Sequence, residues 1–231
     1  MSLKEILAQL KKNANSKNVE GMARFGINPK NTFGVSMPFL RGMGKKIGKN
    51  HKLALELWDS GYHEAKILAG IIDDPKLVTE AQMEKWVKDF DSWDVCDQTC
   101  MNLFDKTPFA LEKISKWTKN EKEFIRRAGF VLMATLSVHD KKMSNEQFIK
   151  FFPVIKKYSI DERNFVRKAV NWALRQIGKR NPALNRSAIK TAEEISKIDS
   201  KTAKWIAADA IKELKGPRCN IRKKKIKINI I

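Results

Sequence analysis

Glu123-Phe124-Ile125-Arg126-Arg127-Ala128-Gly129 and Asn164-Phe165-Val166-Arg167-Lys168-Ala169-Val170 decide the fold. Both read polar, Phe, branched apolar, Arg, basic, Ala, then small or apolar, at an offset of 41. Looser copies surround His63-Glu64-Ala65-Lys66 and Lys204-Trp205-Ile206-Ala207. Elsewhere apolar residues recur at three- and four-residue spacings, as in Ile67, Leu68, Ile71, Ile72 and in Ala169, Val170, Ala173, Leu174, Ile177. That is the period of an amphipathic helix. Strand-like alternation is confined to Ile226–Ile231.

Prolines punctuate the chain at 38, 75, 108, 153, 182 and 217, with gaps of 37, 33, 45, 29 and 35 residues. Each gap is about two helices and two turns. Proline fits a first turn and breaks a helix interior, so its recurrence marks recurring helix ends. Thr79 with Gln82, Ser144 with Gln147 and Ser159 with Glu162 fit capping boxes, and Asn120 with Glu123 an Asn-capped variant. Helix pairs repeating every 30–45 residues or so predict an all-α chain, a right-handed α-solenoid of about six HEAT-like repeats with a concave binding face. An ordinary helical bundle would share the apolar periodicity without needing the repeated Arg-basic-Ala segment. No linker is visible, so the expected organisation is one repeat domain over 1–216 and a basic tail over 217–231.

The 231 residues are 42% hydrophobic and 31% charged, a folded composition. No apolar run approaches the ~20 residues of a membrane span. The N-terminal Met1-Ser2-Leu3-Lys4-Glu5 does not read as a signal peptide. Three cysteines, Cys96, Cys100 and Cys219, form no disulfide framework and point to a reducing compartment. Forty-six Lys+Arg against 26 Asp+Glu give +20. Residues 1–50 carry +8 and residues 215–231 carry +7, leaving +5 for the stretch between. A general preference for lysine would spread the charge evenly; this distribution favours a polyanion, nucleic acid before membrane. The glycine-rich stretch Gly26–Gly48 also holds Arg24 at its edge and Lys45 and Lys46, which suits phosphate contact or a plain solvated loop and helix.

The usual parts of phosphoryl transfer, metallohydrolysis and serine hydrolysis are missing. Cys96 and Cys100, four apart on a helix with no second ligand pair, read as small core residues. What remains is Asp91-Ser92-Trp93-Asp94-Val95-Cys96-Asp97. Ser92 is placed to cap a helix, and Trp93 and Asp97 share one face of it. At an offset of 31, Asp97 stands where the next repeat has Ala128, a carboxylate in place of a packing residue. Burying it is costly unless it is wet or paired, and a surface aspartate on an outward-turned helix is the plainer alternative. Trp172 follows the second Arg-basic-Ala segment and reads as core or as an aromatic wall for a cation.

These segments resemble the DNA alkylation repair family, in its AlkD-type branch of HEAT-like DNA glycosylases. Its Trp-Asp-x-x-Asp motif is matched by Trp93-Asp94-Val95-Cys96-Asp97, and its Gln/Arg-Arg-Ala segment by Arg126-Arg127-Ala128. Its Lys-Ala-x-x-Trp-x-Leu-Arg segment is matched by Lys168–Arg175, and its Met-Ala-Arg-aromatic segment by Met22-Ala23-Arg24-Phe25. The likeness runs from about residue 5 to residue 215. The resemblance implies hydrolysis of the N-glycosidic bond of cationic N3- and N7-alkylated purines in double-stranded DNA, without metal or organic cofactor. By the same resemblance Asp97, Trp93 and Trp172 are the expected catalytic set. Arg127, Arg175, Phe25, Arg24, Lys168, Lys45 and Lys46 are the expected DNA contacts. A cytoplasmic, nucleoid-associated monomer is expected, with no membrane partner. The family pattern has tyrosine where this chain has Phe25, and some members have tryptophan where it has Ser92. A non-catalytic DNA-binding protein and a protein-interaction solenoid are the competing readings.

Overall fold

The structure, a computed structural model, describes residues 1–217 and 219. The alternating Ile226–Ile231 segment and all of the basic tail except Pro217 and Cys219 lie outside the described residues. Among the described residues there are helices and no strands, as the apolar periodicity predicts. The chain divides into two compact units, Met1–Leu132 and Met133–Ile231.

The first unit contains α1 (Leu3–Lys12), α2 (Ser16–Arg24), α3 (Met37–Ile47), α4 (His51–Asp59), α5 (His63–Ile72), α6 (Glu80–Lys88), α7 (Trp93–Asn102) and α8 (Ala110–Trp117). A short 3-10 turn, Phe104–Lys106, follows α7. The unit boundary falls inside α9 (Glu123–His139). The second unit continues with α10 (Asn145–Ile149), α11 (Phe152–Tyr158), α12 (Asn164–Gly178), α13 (Pro182–Ile195) and α14 (Lys201–Lys215).

Helix starts follow the local chemistry with instructive exceptions. Pro38, Pro153 and Pro182 each sit in a first helical turn, where no N–H is needed. Ser144 and Gln147 form the expected reciprocal box. Thr79 accepts from the Gln82 N–H, but the Gln82 amide donates to Asp73 instead of reaching back, so that box is half made. Asn120 accepts from Lys122 N–H, two residues on, before α9 begins at Glu123. Ser159 does not open a helix. It ends α11, with its hydroxyl donating to Lys156 O, and α12 begins only at Asn164 after Arg163. A serine at the end of one helix can satisfy that helix's carbonyls as readily as the next helix's amides.

In the first unit α5 packs against α3, α4 and α7. Trp58 of α4 lies flat on Trp86 of α6, ring centres 4.0 Å apart and planes 2° apart. Phe104 then bridges to Trp117 of α8, 5.9 Å away. The three indoles are at most 1% exposed, so each brings a large apolar payload to the core. Lys113, wholly buried, holds Glu80 and Glu84 at the edge of this column. In the second unit α12 packs against α11, α13 and α14. There Arg167 lies over the Trp205 ring at 5.2 Å, Asn171 donates to Asp209 at 2.6 Å and Arg175 donates to Glu213 at 2.5 Å.

The α2–α3 connection shapes the site below. Gly34 has φ +76°, and a Cβ there would stand 2.3 Å from the carbonyl oxygen of Asn15. Gly34→Ala should therefore cost at least about 2 kcal/mol, the left-handed penalty plus the clash. A urea midpoint lowered at unchanged slope is the expected result; an unchanged midpoint would show the loop is not so constrained.

Candidate functional site

Asp97 projects from α7 toward Arg127 on α9, thirty residues on in sequence. Arg127 Nε donates to Asp97 Oδ1 at 2.9 Å and Nη2 donates to Oδ2 at 2.8 Å. This is the two-pronged geometry in which guanidinium and carboxylate match best. Asp97 is 8% and Arg127 5% exposed. Burial pushes the Asp97 carboxyl above the ordinary aspartate range, and the Arg127 charge and hydrogen bonds pull against that rise. Burial alone would lower the arginine; Asp97 more than offsets it and keeps the guanidinium charged. The carboxylate at the packing position is therefore paired, which resolves the cost anticipated from sequence.

One turn earlier the start of α7 is tied to the α2–α3 region. The Trp93 indole N–H donates to the Phe25 carbonyl at 3.1 Å. Ser92 precedes α7, but its hydroxyl accepts from Asn28 N–H rather than from the helix. Asp91 accepts from the Asn28 amide. Phe25, the C-cap of α2, leaves its ring 73% exposed. Asp94 Oδ1 accepts from Val95 N–H, while Oδ2 meets His63 Nε2 at 2.8 Å. Next to His63, the buried Glu64 carboxylate accepts from the backbone N–H groups of Phe33, Gly34 and Val35. Burial would lower the His63 pKa, but the hydrogen bond and charge of Asp94, with Glu64 and Asp91, outweigh it and raise it.

Arg24, Lys45 and Lys46 are exposed on the first unit, the lysines in the last turn of α3. Trp172, Lys168 and Arg175 share α12 in the second unit, Lys168 exposed and Trp172 half-buried. Arg175 is engaged by Glu213 and, at 3.4 Å, by Asp209. The structure thus joins Asp97 to Arg127 and Trp93 to Phe25. It also supplies a pair that the sequence motifs did not single out, His63 with Asp94. Their separation of 31 residues is the same repeat offset that compares Asp97 with Ala128, and that offset was the available signal. Cys96 and Cys100 are fully buried, as core residues should be.

Helices without strands among the described residues, with a buried carboxylate–arginine pair joining α7 to α9, define the class as a HEAT-like repeat fold. A solved structure described as "A new family of proteins related to the HEAT-like repeat DNA glycosylases with affinity for branched DNA structures" superposes with a TM-score of 0.81 at 22% identity, covering 98% of this chain and 99% of its own. The DNA alkylation repair enzyme family model matches residues 6–214, and the chain belongs to that family. The uncharacterized protein Lin0241 of Listeria innocua serovar 6a is 25% identical over 155 residues, 67% of each chain. Among the described residues no helix is long and apolar enough to cross a membrane.

Arg127→Met should destabilise the fold by about 3–5 kcal/mol, because it strands a buried carboxylate. The double variant Asp97→Leu with Arg127→Met should lose less than Arg127→Met alone, and equal losses would show that stranding is not the cause. His63 gives a pH test. Its folded pKa lies above the ordinary 6.5, so its stabilisation is complete below that value and is lost as pH rises through the raised one. The melting-temperature gap between wild type and His63→Gln should be wider near pH 5.5 than near pH 9.

Proposed function

We propose that the protein is a DNA glycosylase that hydrolyses the N-glycosidic bond of cationic N3- and N7-alkylated purines in duplex DNA, acting as a cytoplasmic, nucleoid-associated monomer without a cofactor. The observation that carries this reading is the Asp97 carboxylate, fixed through both oxygens by Arg127 and one turn along the same helix face from Trp93. An alkylated purine already bears positive charge. When the C1′–N bond breaks, its electron pair goes to the purine, which leaves neutral, and the sugar becomes an oxocarbenium ion. Asp97 stabilises that cation and accepts a proton from the water that adds to C1′. Burial, by raising its pKa, makes Asp97 the better proton acceptor. The indole face of Trp93 adds attraction for a cationic sugar; for Trp172, on α12 of the second unit, the same role rests on the family resemblance alone.

In this reading Arg24, Phe25, Lys45, Lys46 and Lys168 meet the DNA directly. Arg127 and Arg175 meet phosphate only in competition with the carboxylates that now hold them. Arg127 is accordingly assigned first to positioning Asp97. The fold relative's described affinity for branched DNA favours a second reading, junction binding without base release.

Incubation with methylated duplex DNA and chromatography of the released bases separates the two. Wild type should release 7-methylguanine. Asp97→Asn should lower the rate about 100-fold or more, a general-base-sized loss, while duplex affinity stays within about twofold. Wild-type protein that releases nothing yet prefers a four-way junction to a duplex would establish the second reading.

A further inference from the structure

The two arginines expected at DNA phosphates are held very differently. Arg127 meets Asp97 through two donors, with side-chain exposures of only 7% and 12%. Arg175, on α12, meets α14 through Nη1 alone, which lies 2.5 Å from Glu213 Oε2 and 3.4 Å from Asp209 Oδ2. The side chains of Arg175, Glu213 and Asp209 are 28%, 31% and 41% exposed. An ion pair with a single prong and this much solvent contact is among the weak ones. An anion arriving from solvent can compete for it.

The same two carboxylates also hold the neighbours of Arg175. Glu213 Oε1 accepts from Lys179 Nζ, and Asp209 Oδ2 accepts from Asn171 Nδ2, each at 2.6 Å. Burial would raise the Glu213 carboxyl, but Lys179 and Arg175 outweigh it and lower it, so the group is ionised near neutral pH. The arrangement leaves two atoms unmatched. Arg175 Nε and Asn171 Oδ1 are buried and have no hydrogen-bond partner among the described residues. One is a donor and the other an acceptor, four residues apart on α12 and so on one face of it. Holding Arg175 on α14 therefore carries the penalty of two buried polar atoms left unpaired.

We infer that Glu213 and Asp209 are resident competitors of DNA phosphate for Arg175, and that they set how tightly the second unit holds a duplex. Their oxygens stand where phosphate oxygens stand in the complex. Phosphate draws the guanidinium off α14, and Nε then turns to Asn171 Oδ1. A ligand shifts such an equilibrium only by the difference between its interactions with the two states. A duplex that brings a phosphate squarely to Arg175 offsets the loss of Glu213, and one that does not is bound less well, so the carboxylates act as a repulsive selector. No such exchange is open at Arg127, whose departure would strand a buried carboxylate. The inference rests on the reading that Arg175 meets DNA phosphate, and it requires no base release.

The probe is an unmodified, fully paired duplex, with affinity read by fluorescence anisotropy at fixed salt. Glu213→Gln keeps the shape of the side chain and removes its charge, and should bind about fivefold more tightly than wild type, the scale of weak ion pairs given up. Asp209→Asn, which can still accept from Asn171, should gain about twofold. In an Arg175→Gln background the gain from Glu213→Gln should vanish, because no arginine is left to release. Glu162→Gln, at an exposed carboxylate outside α12 and α14, makes the same change in net charge and should leave affinity unchanged. A Glu213→Gln variant that keeps its melting temperature yet binds no more tightly than wild type would overturn the inference. So would an equal gain from Glu162→Gln, or a gain that survives in the Arg175→Gln background. If Glu213→Gln does not fold, Asp209→Asn is read by the same comparisons. The glycosylase reading fails separately: the stated gains together with no release of 7-methylguanine by wild type would sink that reading and leave this one standing.

Discussion

Stacking one helical repeat on the next brings side chains about one repeat apart into contact, and burial then requires the polar ones among them to pair. In the first unit this gives Trp58 with Asp89 and His63 with Asp94 at a separation of 31, Trp117 with Glu84 at 33 and Arg127 with Asp97 at 30. In the second unit the separation is 38, in Lys156 with Glu194, Asn171 with Asp209 and Arg175 with Glu213. A buried polar group is tolerable only when it is hydrogen-bonded. The candidate site is one rung of this series, distinguished by a carboxylate–guanidinium pair buried more deeply than that of Arg175 and Glu213.

Much of this was legible in the chain. Three-and-four apolar spacing specifies helices because one face of each must be buried, and prolines specify where several of them begin. The repeated Arg-basic-Ala segments of α9 and α12 mark equivalent helices. Asp97 and Arg127 could each be picked out, Asp97 as a carboxylate at a packing position. Their mutual pairing was not legible, since motif reading treats each segment separately while burial acts on both together. The same holds for Arg175, which looks like a free cation until Glu213 and Asp209 of α14 are placed beside it. Ser92 and Ser159 show the other limit. A hydroxyl at a helix boundary has several backbone partners within reach, and the neighbouring loop or the preceding helix can win it.

The charge also takes on a sharper meaning. The +8 carried by residues 1–50 includes Arg24, Lys45 and Lys46, all exposed, and these cations are available to phosphate. Arg127, the cation at Asp97, is spent on that carboxylate. On the proposed reading, long-range attraction and local chemistry fall to different residues, and salt should screen the first far more than the second.

Glu64 shows how much of one region can hang on a single side chain. Its carboxylate holds the amides of Phe33, Gly34 and Val35, three consecutive links of the connection that leads from α2 to α3. These three amides therefore form one opening unit. Exchange of their hydrogens with solvent is governed by a single local event, the departure of one carboxylate, rather than by three independent fluctuations. Gly34, Val35 and Glu64 also line the space beside Trp93, so the same departure would free one wall of it.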